Sequence, residues 1–245
     1  MPTKPGCLHA VGPDGRVVCT PGLALRALAL LLVGMLGASE GTTQSLDVRL
    51  LQDLYHAPSP VLRGAMNVTQ ATANPLLLTA PALQWGVALA DGGPAAEAAY
   101  RTSVAWAATT GLVLLLKPIR PRLRPYRAVP GIRSRSERYN ERGEIVGRFS
   151  FPSGHTALAF GLATSWTYSR PGWLVAAPAF TWATAVGLSR VWMGVHYPSD
   201  VLAGALLGTG IAALVHTLGD RITPAFLREE AEPVGPMLRI VVPLR

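Results

Sequence analysis

Charged residues fall along this chain in blocks, and the gaps between the blocks are the first structural signal. No Asp, Glu, Lys or Arg lies between Arg63 and Asp91, between Arg148 and Arg170, between Arg170 and Arg190, or between Asp200 and Asp220. A shorter gap runs from Arg101 to Lys117, and the stretch from Val17 to Ser39 holds only Arg26. A helix needs ~20 apolar residues to cross a hydrocarbon core ~30 Å thick. The gaps therefore predict about six membrane helices, at roughly 20–38, 71–90, 98–116, 154–169, 173–190 and 198–218. Six buried helices of a soluble all-α protein are the competing account, but soluble helices carry a charged stripe on the outer face, and these runs have none.

Finer patterning qualifies the picture at three places. Residues 1–38 have a basic front, an apolar stretch from Ala27 to Leu36 and then Gly37, Ala38 and Ser39. That describes a retained first helix or a cleavable signal peptide; the long, proline-bearing front favours the helix. Between Ser45 and Gln70, Leu46, Leu50, Leu51, Leu54 and Tyr55 recur at helical spacing among Asp47, Arg49 and Asp53. This suits a short amphipathic helix, lying on the membrane surface or packed on the bundle. The last span contains Gly204-Ala-Leu-Leu-Gly208, a small-residue spacing that lets membrane helices approach closely. Pro81 and Pro178 fall inside spans, where membrane helices tolerate proline.

Composition agrees with a membrane bundle. The 245 residues are 49% hydrophobic and 15% charged, against ~25% charged in an average soluble domain. Mean hydropathy is +0.30, which excludes disorder as the main state. Two cysteines, Cys7 and Cys19, exclude a disulfide scaffold and have no metal-site spacing; they read as free thiols. The net charge of +8 is mostly local, because Lys117 to Arg148 holds ten of the 22 basic residues. Arginine suits bidentate binding of phosphate oxygens. Nucleic acid is disfavoured as the partner, since the stretch lies between two bilayer spans and lacks the interleaved aromatics of a single-strand platform. An anionic lipid headgroup or surface fits better, with an ordinary solvated loop as the plain reading of Arg127 to Arg142.

Three short segments carry candidate chemistry: Lys117-Pro-Ile-Arg-Pro-Arg-Leu-Arg-Pro125, Phe151-Pro-Ser-Gly-His155, and Ser189-Arg-Val-Trp-Met-Gly-Val-His-Tyr-Pro-Ser-Asp200. Lys117 ends the third predicted span, His155 opens the fourth, Arg190 ends the fifth and His196 precedes the sixth. Because successive spans alternate in direction, all four ends meet at one membrane face, whether or not the first span is retained. Ionisable groups at a membrane edge are functional candidates. Here they suit phosphoryl transfer. Lys117, Arg124 and Arg190 can neutralise a phosphoryl group. Ser153 and the free N–H groups at a helix start near Gly154 can bind its oxygens. Two histidines can act as nucleophile and general acid, and Asp200, four residues after His196, can hold its ring. Alone, each residue also has a structural reading as cap, anchor or hydrogen-bonder.

Together these segments resemble the type 2 phosphatidic acid phosphatase (PAP2) superfamily, whose pattern is Lys-x6-Arg-Pro, Pro-Ser-Gly-His and Ser-Arg-x5-His-x3-Asp. All three parts are present in order, over roughly residues 98–218. The resemblance implies that His196 is the nucleophile and forms a phosphohistidine, with Asp200 orienting it. It implies that His155 protonates the leaving group and then helps activate water. Lys117, Arg124, Ser153, Gly154 and Arg190 would bind the phosphoryl oxygens. No metal or other cofactor is implied, and no metal-ligand spacing occurs at these helix ends.

The expected protein is thus an all-α integral membrane bundle of about six transmembrane helices with its active site at one membrane face. Residues 1–19 would form a tail, 20–218 the phosphatase domain with its motif-bearing core at 98–218, and 219–245 a C-terminal tail. His9, His56 and His216 match no motif, and His216 falls at the opposite face. The expected substrate is a lipid phosphate in the bilayer: a polyprenyl diphosphate, phosphatidic acid or phosphatidylglycerol phosphate. The expected location is the cell membrane with the site on the extracytoplasmic side. The positive-inside rule opposes that orientation, which puts 13 of the 22 basic residues outside, although phosphate binding accounts for Lys117, Arg124 and Arg190. A transporter, a non-catalytic anionic-lipid binder and a vanadate-type haloperoxidase are the rival functions; known members of the last are soluble.

Overall fold

The charge-free stretches are helical in the computed structural model, which describes residues 40–91, 93–135 and 148–228 and the backbone of 9–11 and 17–19. The six longer helices among them are α1 (Glu40–His56), α2 (Pro60–Asp91), α3 (Gly93–Ile119), α4 (Gly154–Ser169), α5 (Trp173–Trp192) and α6 (Pro198–Thr217). Strands β1 (His9–Val11) and β2 (Val17–Cys19) form a small antiparallel ribbon. The expected span at 20–38, its signal-peptide alternative, the side chains of Cys7 and Cys19, residues 136–147 of the basic stretch and the tail from 229 lie outside the described residues.

Pro60 and Pro198 each open a helix, as a residue without an N–H and with its φ already helical should. The span expected at 71–90 is the later part of α2. The helix begins eleven residues earlier because Asn67, Thr69 and Gln70 are polar but do not stop a helix. Inside α2, Pro81 has no N–H to offer the carbonyl of Leu77. The indole N–H of Trp106 on α3 donates to that carbonyl at 2.8 Å, which repairs the break and ties the two helices together.

α4 is the central element, and it is built of small residues on the faces it buries. Against α6 the two backbones nearly touch. A Cβ on Gly208 would lie 1.9 Å from the carbonyl oxygen of Ala157, and one on Gly204 would lie 2.5 Å from that of Ser153. The Gly204–Gly208 spacing is therefore the seam between α4 and α6. On one flank Ala73 and Leu77 of α2, Leu162 and Ala163 of α4, and Ala183 and Val186 of α5 form one core. On the other, Val113 and Leu116 of α3 and Leu207, Ile211 and Val215 of α6 pack around Ala157.

The outer surface is apolar. Val61, Val68, Leu78, Leu83 and Leu89 of α2, Leu114 and Leu115 of α3, Trp173 and Leu174 of α5, and Leu202 and Leu206 of α6 are exposed, as side chains that face lipid would be. α3, α5 and α6 are each long and apolar enough to cross a membrane. α4 has 16 residues, a rise of about 24 Å, and is wrapped by its neighbours.

α1 packs on the bundle rather than standing apart. Leu51 is fully buried against Ile132, Val191 and Tyr197. The expected stripe is kept in part: Leu54 and Tyr55 pack inward with Leu51, whereas Leu46 and Leu50 are exposed and Asp47 is on the buried side.

Candidate active site

The site forms where the C-terminal ends of α3 and α5 meet the N-terminal ends of α4 and α6. After α3 the chain runs back alongside the segment that leads into α4. Leu123 bridges to Phe149, and the Ser150 N–H donates to the Arg122 carbonyl at 2.8 Å. The Ser153 N–H donates to the Asp200 carbonyl at 3.0 Å, which joins the start of α4 to the start of α6. Between α5 and α6 the loop turns at Gly194. Its φ is +70°, and a Cβ there would lie 2.9 Å from the Arg133 carbonyl oxygen, so only glycine fits.

Four of the expected site residues are almost sealed: Arg124, Arg190 and His196 are 2% exposed and Asp200 is 0%. Ser153 is buried as well, and its hydroxyl lies 2.8 Å from that of Thr156. Lys117 and His155 are part-exposed. The Lys117 ammonium donates to the Phe149 carbonyl at 3.1 Å, leaving further N–H donors for a ligand. Gly154 is the first residue of α4, so its N–H is one that the helix does not use.

The tautomer of His196 follows from its neighbour. Arg124 Nη1 lies 3.1 Å from His196 Nε2 and also donates to the Val195 carbonyl at 2.9 Å. A guanidinium can only donate, so Nε2 holds a lone pair and the proton sits on Nδ1. That Nδ1 points toward Asp200 Oδ2 at 3.7 Å, longer than a hydrogen bond. Asp200 therefore faces the neutral ring without a direct hydrogen bond to it. Burial, and then the positive charges of Arg124, Lys117 and Arg190, hold His196 well below the ordinary imidazole pKa. The ring is neutral at pH 7, with the lone pair of Nε2 facing the cationic side of the site.

Asp200 is held by other partners. Its Oδ2 accepts the Tyr197 N–H at 2.9 Å, the reach-back of a capping box at the start of α6. Its Oδ1 accepts from Arg122 Nη1 at 3.0 Å. Three residues at the site went unremarked in the sequence motifs. Arg122 contacts Asp200. Asp47 of α1 receives Arg122 Nη2 at 2.8 Å. Asn74 of α2 places its Oδ1 2.8 Å from His155 Nε2. Asn74 and Asp47 sit in stretches far from the motifs, and nothing in the local sequence marks them. Arg122 was visible only as one more basic residue.

Beyond the site, Arg135 joins the expected basic stretch to the bundle, over the rings of Tyr55 at 3.9 Å and Trp192 at 4.4 Å. At the opposite end His216 stacks on Tyr168. Among the described residues no three His, Cys, Asp or Glu side chains group as a metal site.

The sequence profile of the PAP2 superfamily matches residues 99–224. The chain is similar to the bacitracin transport permease protein BcrC of Bacillus licheniformis, 52% identical over 68 residues, which are 27% of this chain and 32% of that protein. It is similar to the undecaprenyl-diphosphatase of Sulfolobus acidocaldarius, 34% identical over 92 residues, 38% of each chain. The chain thus spans about a third of the length of these relatives. Among solved structures, the transmembrane PAP2-type phosphatidylglycerolphosphate phosphatase of Bacillus subtilis has the same fold. Its TM-score is 0.56 at 23% identity, covering 84% of this chain and 98% of that one.

Proposed function

The chain belongs to the PAP2 superfamily, and from that premise we propose that it hydrolyses a phosphate ester or diphosphate on a membrane lipid through a phosphohistidine. The observation that carries this reading is the His196 geometry: a neutral imidazole with its Nε2 lone pair turned to Arg124 and its Nδ1 proton turned to Asp200.

The reaction follows from the groups in place. A phosphoryl group bound by Lys117, Arg124, Arg190, the Ser153 hydroxyl and the Gly154 N–H takes over the Arg124 donor from Nε2. Nε2 then attacks phosphorus, and the P–O bond to the lipid breaks as the N–P bond forms. His155 gives its proton to the departing oxygen. The imidazole of His196 becomes positive in this step, and Asp200 faces that charge. Water next attacks the phosphorus; His155 takes its proton, the N–P bond breaks, and phosphate leaves. The cations stabilise the charge spread over the equatorial oxygens in both steps, so no metal is needed.

The substrate class rests on the membrane setting and the relatives. A polyprenyl diphosphate, phosphatidylglycerol phosphate and phosphatidic acid each present a phosphoryl group at the bilayer surface. The first is supported by the name of the Sulfolobus relative and the second by the name of the structural neighbour. The bundle would cross the membrane six times, with residues 20–38 as its first span and the site facing outward. Purified protein assayed on a panel of these lipids in EDTA should release phosphate, and His196→Ala should abolish the release. Release that survives His196→Ala would overturn the mechanism. Loss in EDTA with recovery in magnesium would mark a different phosphatase chemistry. The Bacillus licheniformis relative is named for transport; substrate movement without phosphate release would favour that function instead.

A further inference from the structure

Behind the phosphate-facing cations, Asp200 is joined by two charged residues, Asp47 and Arg122, that are not among the fixed positions of the three-part pattern. Asp47 of α1 is 6% exposed. Its Oδ2 accepts from Arg122 Nη2 at 2.8 Å, and its Oδ1 accepts the Ser199 N–H at 2.9 Å. The Ser199 hydroxyl also donates to Asp47. Arg122 uses its other nitrogen, Nη1, on Asp200 Oδ1 at 3.0 Å and on Ser199 Oγ at 2.7 Å. Its guanidinium lies over the Tyr197 ring, 3.8 Å from the centroid. One arginine is therefore gripped between two buried carboxylates, one from α1 and one from α6.

The charge balance gives this arrangement a consequence. Asp200 and Arg122 alone would form a neutral pair, and a neutral pair offers little to an imidazole that turns positive as it is phosphorylated. Asp47 brings the cluster to a net charge of −1, with Asp200 as its member facing His196. The planar fork of Arg122 gives each carboxylate its own nitrogen in a fixed geometry, which the single ammonium of a lysine does not. It fixes the carboxylate of Asp200 although no hydrogen bond from His196 Nδ1 does so.

We propose that Asp47 and Arg122 are positioning residues for phosphoryl transfer: Arg122 aims Asp200 at His196, and Asp47 holds Arg122 and restores the negative charge behind the nucleophile. The proposal rests on the phosphohistidine reading above.

The test compares Asp47→Asn, Arg122→Lys and, as a control on the exposed face of α1, Arg49→Gln with the unaltered protein. Each is assayed for lipid phosphate release, inhibition by inorganic phosphate, and Tm in detergent. Asp47→Asn keeps the shape and removes the charge. Its kcat should fall about 10- to 100-fold, the size expected for one unit charge several ångströms from a developing cation at an effective dielectric constant of about 20. KM and the phosphate inhibition constant should stay within threefold, since the oxygen-binding cations are untouched. Arg122→Lys should show the same split, and Arg49→Gln should match the unaltered protein. If both site variants keep kcat within threefold, the proposal is wrong. It is equally wrong if kcat, phosphate affinity and Tm fall together, because that is loss of structure rather than of positioning. Phosphate release by the unaltered protein that persists in His196→Ala would sink the parent reading instead, a result distinguishable from either of these.

Discussion

The histidines divide their work by where their nitrogens point. His196 has one nitrogen on Arg124 and the other toward Asp200, whereas His155 leans on the Asn74 amide. If His155 is the acid that protonates the leaving oxygen, its worth depends on how badly that oxygen needs a proton. His155→Ala should slow the first turnover on an alkyl lipid phosphate by 10²–10⁴-fold, roughly the usual contribution of general acid catalysis. It should slow the first-turnover burst from p-nitrophenyl phosphate far less, since p-nitrophenolate leaves without one. Equal losses on the two substrates would remove His155 from that role. All eight expected site residues gather at one end of the bundle, so their clustering was legible where the motifs fix their spacing along the chain. Asp47 and Asn74 were illegible for a physical reason. Their partners at the site lie 75 to 152 residues away in sequence, and a single carboxylate or amide on a helix is ordinary until its partner is known.

At the scale of elements, charge-free runs located the five described spans and gave the ends of α4, α5 and α6 to within two residues, but they missed the starts of α2 and α3 by eleven and five residues. Spans end where charge begins, whereas helices end where caps and prolines dictate, and α2 starts at Pro60 for that reason. The amphipathic reading of α1 had the right helix and most of its inner face, since Leu51, Leu54 and Tyr55 pack on the bundle, but Leu46 and Leu50 do not belong to that face. Leucine stripes point to a core in water, but near a bilayer Leu46 and Leu50 can face outward while a charged residue turns in to meet a partner. The glycine seam was a weak signal in sequence and is a tight contact in the fold. Gly208→Ala would push a methyl group into the Ala157 carbonyl. Overpacking of this kind costs about 1–3 kcal/mol, so Tm in detergent should fall by several degrees and activity with it. Gly111→Ala on α3, where a Cβ meets nothing within 4 Å, should leave Tm unchanged. Equal behaviour of the two variants would show that the seam can give.

For the whole molecule, the orientation in the membrane has a direct measurement. With Cys7 and Cys19 replaced by serine, a single cysteine at Arg127, exposed beside the site, should react with an impermeant maleimide added to intact cells. One at Arg170, exposed at the far end of α4, should react only after lysis. The reverse pattern would place the site in the cytoplasm and agree with the positive-inside bias. The link from Asp47 through Arg122 to Asp200 also bears on how such proteins can be recombined. The PAP2 match begins at residue 99, yet the carboxylate that holds Arg122 and the amide beside His155 come from α1 and α2. A chimera that joins the motif-bearing half of this chain to the front half of a relative would inherit every motif residue and still work only if the borrowed half brings its own acid for Arg122 and its own amide for His155. On the proposed roles, the inheritable unit of activity is larger than the stretch by which the family is recognised.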